Sequence, residues 1–204
     1  MPDMMKAVVV KADQPLALED VQKPEITSNE VLLRVRASGL NRADLLQRRG
    51  LYPPPKGASQ IMGLECAGEI VALGDAVDDW SIGDRVCALL AGGGYAEYAA
   101  VDQGSLLPIP DGMDFVAAAC LPEAMMTVWA NVYDRCNLQV GESFLVHGGT
   151  SGIGVMAIQM ARTYGASAIY ATAGSDEKCR VCADLGATRA INYKSEAFDS
   201  VILG

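Results

Sequence analysis

The apolar positions of this chain change rhythm near its middle. Between residues 6 and 110 short apolar runs alternate with Gly, Pro, Asn and Asp: KAVVV (6–10), EVLLRVRA (30–37), AGEIVALG (67–74), RVCALL (85–90) and YAEYAAV (95–101). Such runs predict strands, and their spacing predicts a small barrel or sandwich. Gly92-Gly93-Gly94, with a strand on either side, predicts a hairpin turn. After Pro108 and Pro110 the pattern lengthens. Residues 114–136 predict two helical stretches separated by Pro122, with Asp114 as an N-cap.

From residue 143 strands and helices alternate. SFLVHG (143–148) predicts a buried strand. The helix that follows, GIGVMAIQMARTYGA, has apolar residues at 153, 156, 157 and 160 on one face and stops at Gly165. SAIYATAG (167–174) predicts a second strand, Ser175 caps a helix DEKCRVCADLG closed by Gly186, and ATRAINY (187–193) predicts a third strand. The order β-α-β-α-β is half of a doubly wound dinucleotide fold, so the fold class is α/β with a β-rich domain in front. DSVIL, just before Gly204, predicts the start of a fourth strand.

Bulk composition narrows the function classes. Half of the 204 residues are hydrophobic and 20% are charged, an ordinary globular balance. The net charge is −9, with Lys and Arg concentrated only around Arg34, Arg36, Arg42, Arg48 and Arg49, so no nucleic-acid partner is expected. No stretch reaches the roughly 20 apolar residues of a membrane span, and the N-terminal residues lack a signal-peptide pattern. A cytoplasmic protein is expected. The six scattered cysteines suit reduced thiols there.

HGGTSGIG (147–154) joins a strand to a helix inside a βαβ unit, which is where a dinucleotide's pyrophosphate is cradled. Against the spacing G-x-G-x-x-G the three positions are Gly149, Ser151 and Gly154. The Ser151 hydroxyl could donate to a phosphate, or its Cβ could push one away. Gly152 and Ile153 open the helix beside them. An NAD-binding relative places a carboxylate about 20 residues further on, but that position here is Ala173. Ser175, Lys178 and Tyr193 offer hydroxyls and a cation to a 2′-phosphate, with Lys194 adjacent, which favours NADP(H) over NAD(H). The bland alternative leaves Lys178 in solvent and Asp176 and Glu177 at the helix start.

Other chemistry is weaker. His147 is the single histidine, so a multi-histidine zinc site is improbable and no metal is expected. Its place at a strand end predicts structural hydrogen bonding. Cys179-x-x-Cys182 has redox spacing but lies within a predicted helix, as two half-buried thiols.

The ordered motifs ASGLNRADLLQRRGLYPPP, IMGLECAGEIVALG, GGGYAEY, LPEAMMTVW, LVHGGTSGIGVMAIQMAR and INYK resemble the medium-chain dehydrogenase/reductase superfamily over residues 5–194. Within it they resemble the zinc-free quinone oxidoreductases, of the p53-inducible type. The resemblance implies a GroES-like catalytic domain over 1–120 and an NADP-binding Rossmann domain over 121–204, with NADPH in the cleft between them. It implies that Asn41 and Tyr52 line the substrate pocket and that Thr127 sits near the nicotinamide. Zinc-dependent relatives place Cys at Asn41 and His at Leu64; this chain has neither.

The implied activity is NADPH-dependent reduction of quinones or related conjugated carbonyls, with Asn41 and Tyr52 donating to the oxyanion and solvent supplying the proton. An enoyl-type reductase is the alternative, and a catalytically silent NADPH-binding or interaction protein another. Family members continue well past this chain, so it resembles a C-terminally truncated member with a partial Rossmann sheet. Weakened NADPH binding, low turnover and association into a homo-oligomer through the uncovered sheet edge are expected.

Overall fold

A computed structural model describes residues 3–10 and 15–203, and the chain divides into two compact units, Met1–Glu123 and Ala124–Gly204. Gly204 lies outside the described residues.

The first unit is built on antiparallel strands. β1 (Met4–Val9) pairs with β2 (Ala17–Gln22). The main sheet contains β3 (Glu30–Ser38), β4 (Glu65–Leu73), β5 (Arg85–Leu89), β6 (Tyr98–Asp102) and β7 (Leu106–Pro108), in the order β6-β3-β4-β5-β7. Period-two alternation divides its residues between two cores. Val31, Leu33, Cys66, Ile70, Val86 and Val101 fill one, while Ala67, Cys87, Ile109, Ala118 and Ala119 fill the other. A Cβ on Gly68 would lie 2.1 Å from the Arg34 carbonyl oxygen, close to the register shift between Val35 and Ala37. The missing side chain lets the two strands approach at this irregularity.

Two expectations change here. Gly92–Gly94 do not form a hairpin turn, because β5 and β6 are not neighbours. The segment crosses between them, and the N–H groups of Gly93, Gly94 and Tyr95 donate to the carbonyls of Ile61, Gly63 and Met62. A short helix, α1 (Arg42–Arg48), was not predicted; Asn41 precedes it as N-cap.

Asp114 caps α2 (Phe115–Ala118) by accepting from Ala117 N–H at 2.7 Å, and Pro122 opens α3 (Pro122–Val128), where a fixed φ and absent N–H cost nothing. A π-helical turn follows at Trp129–Arg135, with Cys136 N–H donating to the Asn131 carbonyl. By length and composition alone, Phe115–Arg135 is a 21-residue candidate for crossing a membrane, against the expectation of no such stretch. Its apolar side chains divide: Ala118 and Ala119 belong to a core of the first unit, and Val128 to one of the second.

The second unit contains a parallel sheet of β8 (Ser143–Val146), β9 (Ala168–Ala173) and β10 (Arg189–Asn192), in the order β10-β9-β8. α4 (Gly152–Thr163) and α5 (Asp176–Leu185) make the crossovers. Ile158, Ala161, Ile169, Ala171 and Cys182 form their shared core. Ser175 caps α5, and Gly186 ends it at φ 118°, a left-handed conformation that glycine adopts without a Cβ penalty. β8 is half-buried rather than buried, because it is an outer strand of this sheet. DSVIL is helical, not a strand: α6 (Phe198–Leu203) follows a turn closed on the Asn192 carbonyl.

Candidate functional site

The strand-to-helix turn of the second unit is fixed from two sides. Gly148 stands at φ 68°, which bends the chain away from β8. Thr172, 2% exposed, holds the turn from β9: its Oγ1 lies 3.1 Å from His147 Nδ1 and accepts from Gly148 N–H, and its carbonyl accepts from Gly149 N–H. His147 is thus a structural member of the turn, and its ring meets Phe198 edge-on at 4.9 Å.

Close packing then selects the glycines. A Cβ on Gly149 would lie 2.6 Å from Cys182 Sγ, and one on Gly154 would lie 2.4 Å from the Gly148 carbonyl oxygen. A Cβ on Gly152 would meet nothing within 4 Å. Ser151 is the N-cap of α4, its Oγ accepting from Gly154 N–H at 3.0 Å. That bond uses one lone pair of the oxygen and leaves the hydroxyl proton to donate. Ile153 is half-buried against Val128, Ala157 and Met160.

Among the described residues, the N–H groups of Thr150, Gly152 and Ile153 meet no protein acceptor. They stand at the positive end of a 12-residue helix, beside the open space at Gly152. Unpaired donors, helix dipole and absent side chains are what a diphosphate requires, so the turn fits a dinucleotide.

A second group gathers at the ends of β9 and β10. A Cβ on Gly174 would lie 2.6 Å from Tyr193 Oη and 3.7 Å from Lys194 Cε. Tyr193 N–H donates to the Ala173 carbonyl, and Ser175 Oγ accepts from Lys178 N–H. Lys178 and Lys194 are exposed and, among the described residues, neither ammonium has an ion-pair partner.

In the first unit Asn41 is the hub of a buried polar network. Its Nδ2 donates to Glu65 Oε1 at 2.8 Å, and its backbone N–H to Asp44 Oδ2 at 2.7 Å. Glu65 Oε2 accepts from Glu123 N–H, while Tyr95 Oη donates to Asp44 Oδ2 at 2.7 Å. Glu65 and Asp44 are each 3% exposed, and Asp44 Oδ1 has no partner. Burial, then the hydrogen bond to Asp44, raises the Tyr95 phenol well above its usual range, so it stays protonated as a donor. A Cβ on Gly39 would lie 2.1 Å from Glu65 Oε1, so the acid occupies the space beside that glycine.

Glu65, Asp44, Tyr95 and Thr172 were not read as site residues. An acid inside the apolar stretch GLECAG was the available signal for Glu65. Tyr52 is 45% exposed, and no hydrogen bond or ring contact joins it to Asn41 among the described residues. Thr127 lies in the part of α3 that belongs to the second unit, its carbonyl accepting from Asn131 Nδ2. Cys179 and Cys182 are free thiols raised by burial.

Residues 27–111 match the alcohol dehydrogenase GroES-like domain family, and residues 152–203 the zinc-binding dehydrogenase family. The quinone oxidoreductase of Coxiella burnetii superposes with a TM-score of 0.84 at 30% identity, over 98% of this chain and 65% of that one. The chain belongs to the medium-chain dehydrogenase/reductase superfamily. Within this superfamily it is quinone oxidoreductase-like, with a GroES-like domain followed by a Rossmann-type domain. The quinone oxidoreductase of Rattus norvegicus is 34% identical over 86% of this chain and 53% of its own length. CurK enoyl reductase superposes with a TM-score of 0.84 at 30% identity, over 95% of this chain and 61% of that one. The chain spans about half the length, or less, of the curated relatives it matches. Although the second domain family carries zinc in its name, no group of three or more His, Cys, Asp or Glu among the described residues could hold a metal ion.

Proposed function

We propose that this medium-chain dehydrogenase/reductase chain binds NADP(H) and serves the reduction of quinones or related conjugated carbonyls. The observation that carries the reading is the turn at Gly148–Gly154, with three backbone donors free beside a side-chain-free opening. When bound, the dinucleotide supplies the hydride. The donors of Thr150, Gly152 and Ile153 would hold its diphosphate, and Ser175, Lys178, Tyr193 and Lys194 its 2′-phosphate. The residue at the position for a ribose-binding acid is Ala173.

On the acceptor side the chemistry is mild, since resonance stabilises the oxyanion of a reduced quinone. Glu65 holds one N–H of the Asn41 amide, leaving the other N–H to donate to an acceptor. The Tyr52 hydroxyl is a second donor, and solvent delivers the proton. Enoyl reduction is the second reading, favoured by the likeness to CurK enoyl reductase, because an activated C=C takes hydride on the same kind of scaffold.

Titration of the purified chain with NADPH and NADH, followed by NADPH oxidation with a panel of quinones, 2-alkenals and 2-enoyl thioesters, tests the reading. Preferential NADPH binding with quinone-dependent oxidation supports it. Oxidation only with enoyl compounds would move the chain to the second reading, and binding without oxidation by any acceptor would leave a silent dinucleotide-binding protein.

A further inference from the structure

The end of β9 carries opposing signals for a phosphate. The ammonium groups of Lys178 and Lys194 attract it, while Asp176 and Glu177, the first two residues of α5, repel it. Asp176 is directed by one side chain. Its Oδ1 accepts from Asn192 Nδ2 at 2.7 Å.

Asn192 does more than hold this carboxylate. Its Oδ1 accepts from Lys194 N–H at 3.2 Å, and its carbonyl accepts from Ser195 and Glu196 N–H at 3.0 and 2.9 Å. Between these bonded residues sits Tyr193, whose phenol lies against Gly174. The side-chain amide therefore orients the acid and holds the Lys194 N–H, while the backbone carbonyl closes the turn that follows.

We propose that Asn192 is a specificity-determining positioning residue that ties the Asp176 carboxylate to the end of β10 and so keeps the end of β9 open to a 2′-phosphate. The inference rests on the NADP(H) reading above. A released Asp176 becomes a discriminator of opposite sense: a mobile carboxylate repels a phosphate dianion but accepts a hydrogen bond from a free ribose 2′-hydroxyl. The amide, rather than the absence of acid alone, sets the preference.

The test uses the full chain and two probes that need only the adenosine half of the cofactor site, adenosine 2′,5′-bisphosphate and 5′-AMP, titrated calorimetrically. The wild-type chain should prefer the bisphosphate. Asn192→Ala should reduce that preference roughly three- to fivefold, the scale of an exposed charge interaction, with the loss confined to the bisphosphate. Adding Asp176→Asn to Asn192→Ala should restore it. Asn192→Ser, which keeps a hydroxyl for the Lys194 N–H but does not reach Asp176, should behave like Asn192→Ala and serves if that variant does not fold. Equal weakening of both probes, an unchanged preference, or no recovery in the double variant would overturn the inference while leaving the NADP(H) reading intact. A wild-type chain without preference would overturn both.

Discussion

Gly154 packs against Gly149 so closely that a Cβ on the first would lie 2.7 Å from the Cα of the second. This contact sets α4 against the turn and leaves open space at Gly152, which the proposed function assigns to a diphosphate. Gly154→Ala should therefore destabilise the protein by about 1–3 kcal/mol, the usual cost of overpacking, read from urea unfolding. Gly152→Ala should leave stability within about 0.5 kcal/mol, as at an unconstrained surface position, yet weaken NADPH binding by narrowing the approach. Equal stability of the two variants would contradict this geometry.

Glu65→Ala removes the acceptor of both the Asn41 amide and the Glu123 N–H. Leaving such buried donors unpaired should lower stability by about 1–3 kcal/mol in denaturant titration. Glu65→Gln should recover only part of it, because a Gln side chain accepts through one oxygen where the carboxylate uses two. Full recovery would show that one of the two hydrogen bonds contributes nothing.

Lys178→Ala should weaken NADPH binding several-fold with little effect on NADH. An exposed ammonium acts through a screened interaction, so the difference should shrink as salt rises from 0.05 to 0.5 M, as a generic screening test. A salt-independent loss shared by both cofactors would place the role of Lys178 in folding instead.

Much of the second unit was legible because its signals are local. The G-x-S-x-x-G spacing, the Ser175 cap and the left-handed Gly186 act within a few residues of the elements they start or stop. The polar network around Asn41 was not, since its contacts other than the local Asn41–Asp44 bond join residues 24 to 58 apart. β2 escaped because its sequence ALEDVQ is mostly exposed and lacks an apolar face, and β7 because LLP is three residues long. DSVIL misled through its β-branched pair: the Asn192 turn sends it into a helix, and Phe198 packs against His147.

Burial raises Cys66 to about 12 and Cys87 to about 11, from an ordinary value of 9.0. Both stay protonated at neutral pH. Iodoacetamide at pH 8 should label the exposed Cys120 and Cys136 first and leave Cys66 and Cys87 intact until the chain unfolds, as mass spectrometry of the peptides would show. The sign of the linkage follows: the folded thiols retain protons that the unfolded chain releases above pH 9, so stability is fully present below that pH and falls toward 11 and beyond. Stability that rises over this window would contradict the burial of these thiols.

The central claim is that the turn at Gly148–Gly154 and the cluster at the end of β9 bind a 2′-phosphorylated dinucleotide. Equilibrium titration of the purified 204-residue chain with NADPH, set against NADH under the same salt, tests it most directly. Saturable NADPH binding that exceeds NADH binding is the predicted result; no binding of either, or a preference for NADH, would contradict the account.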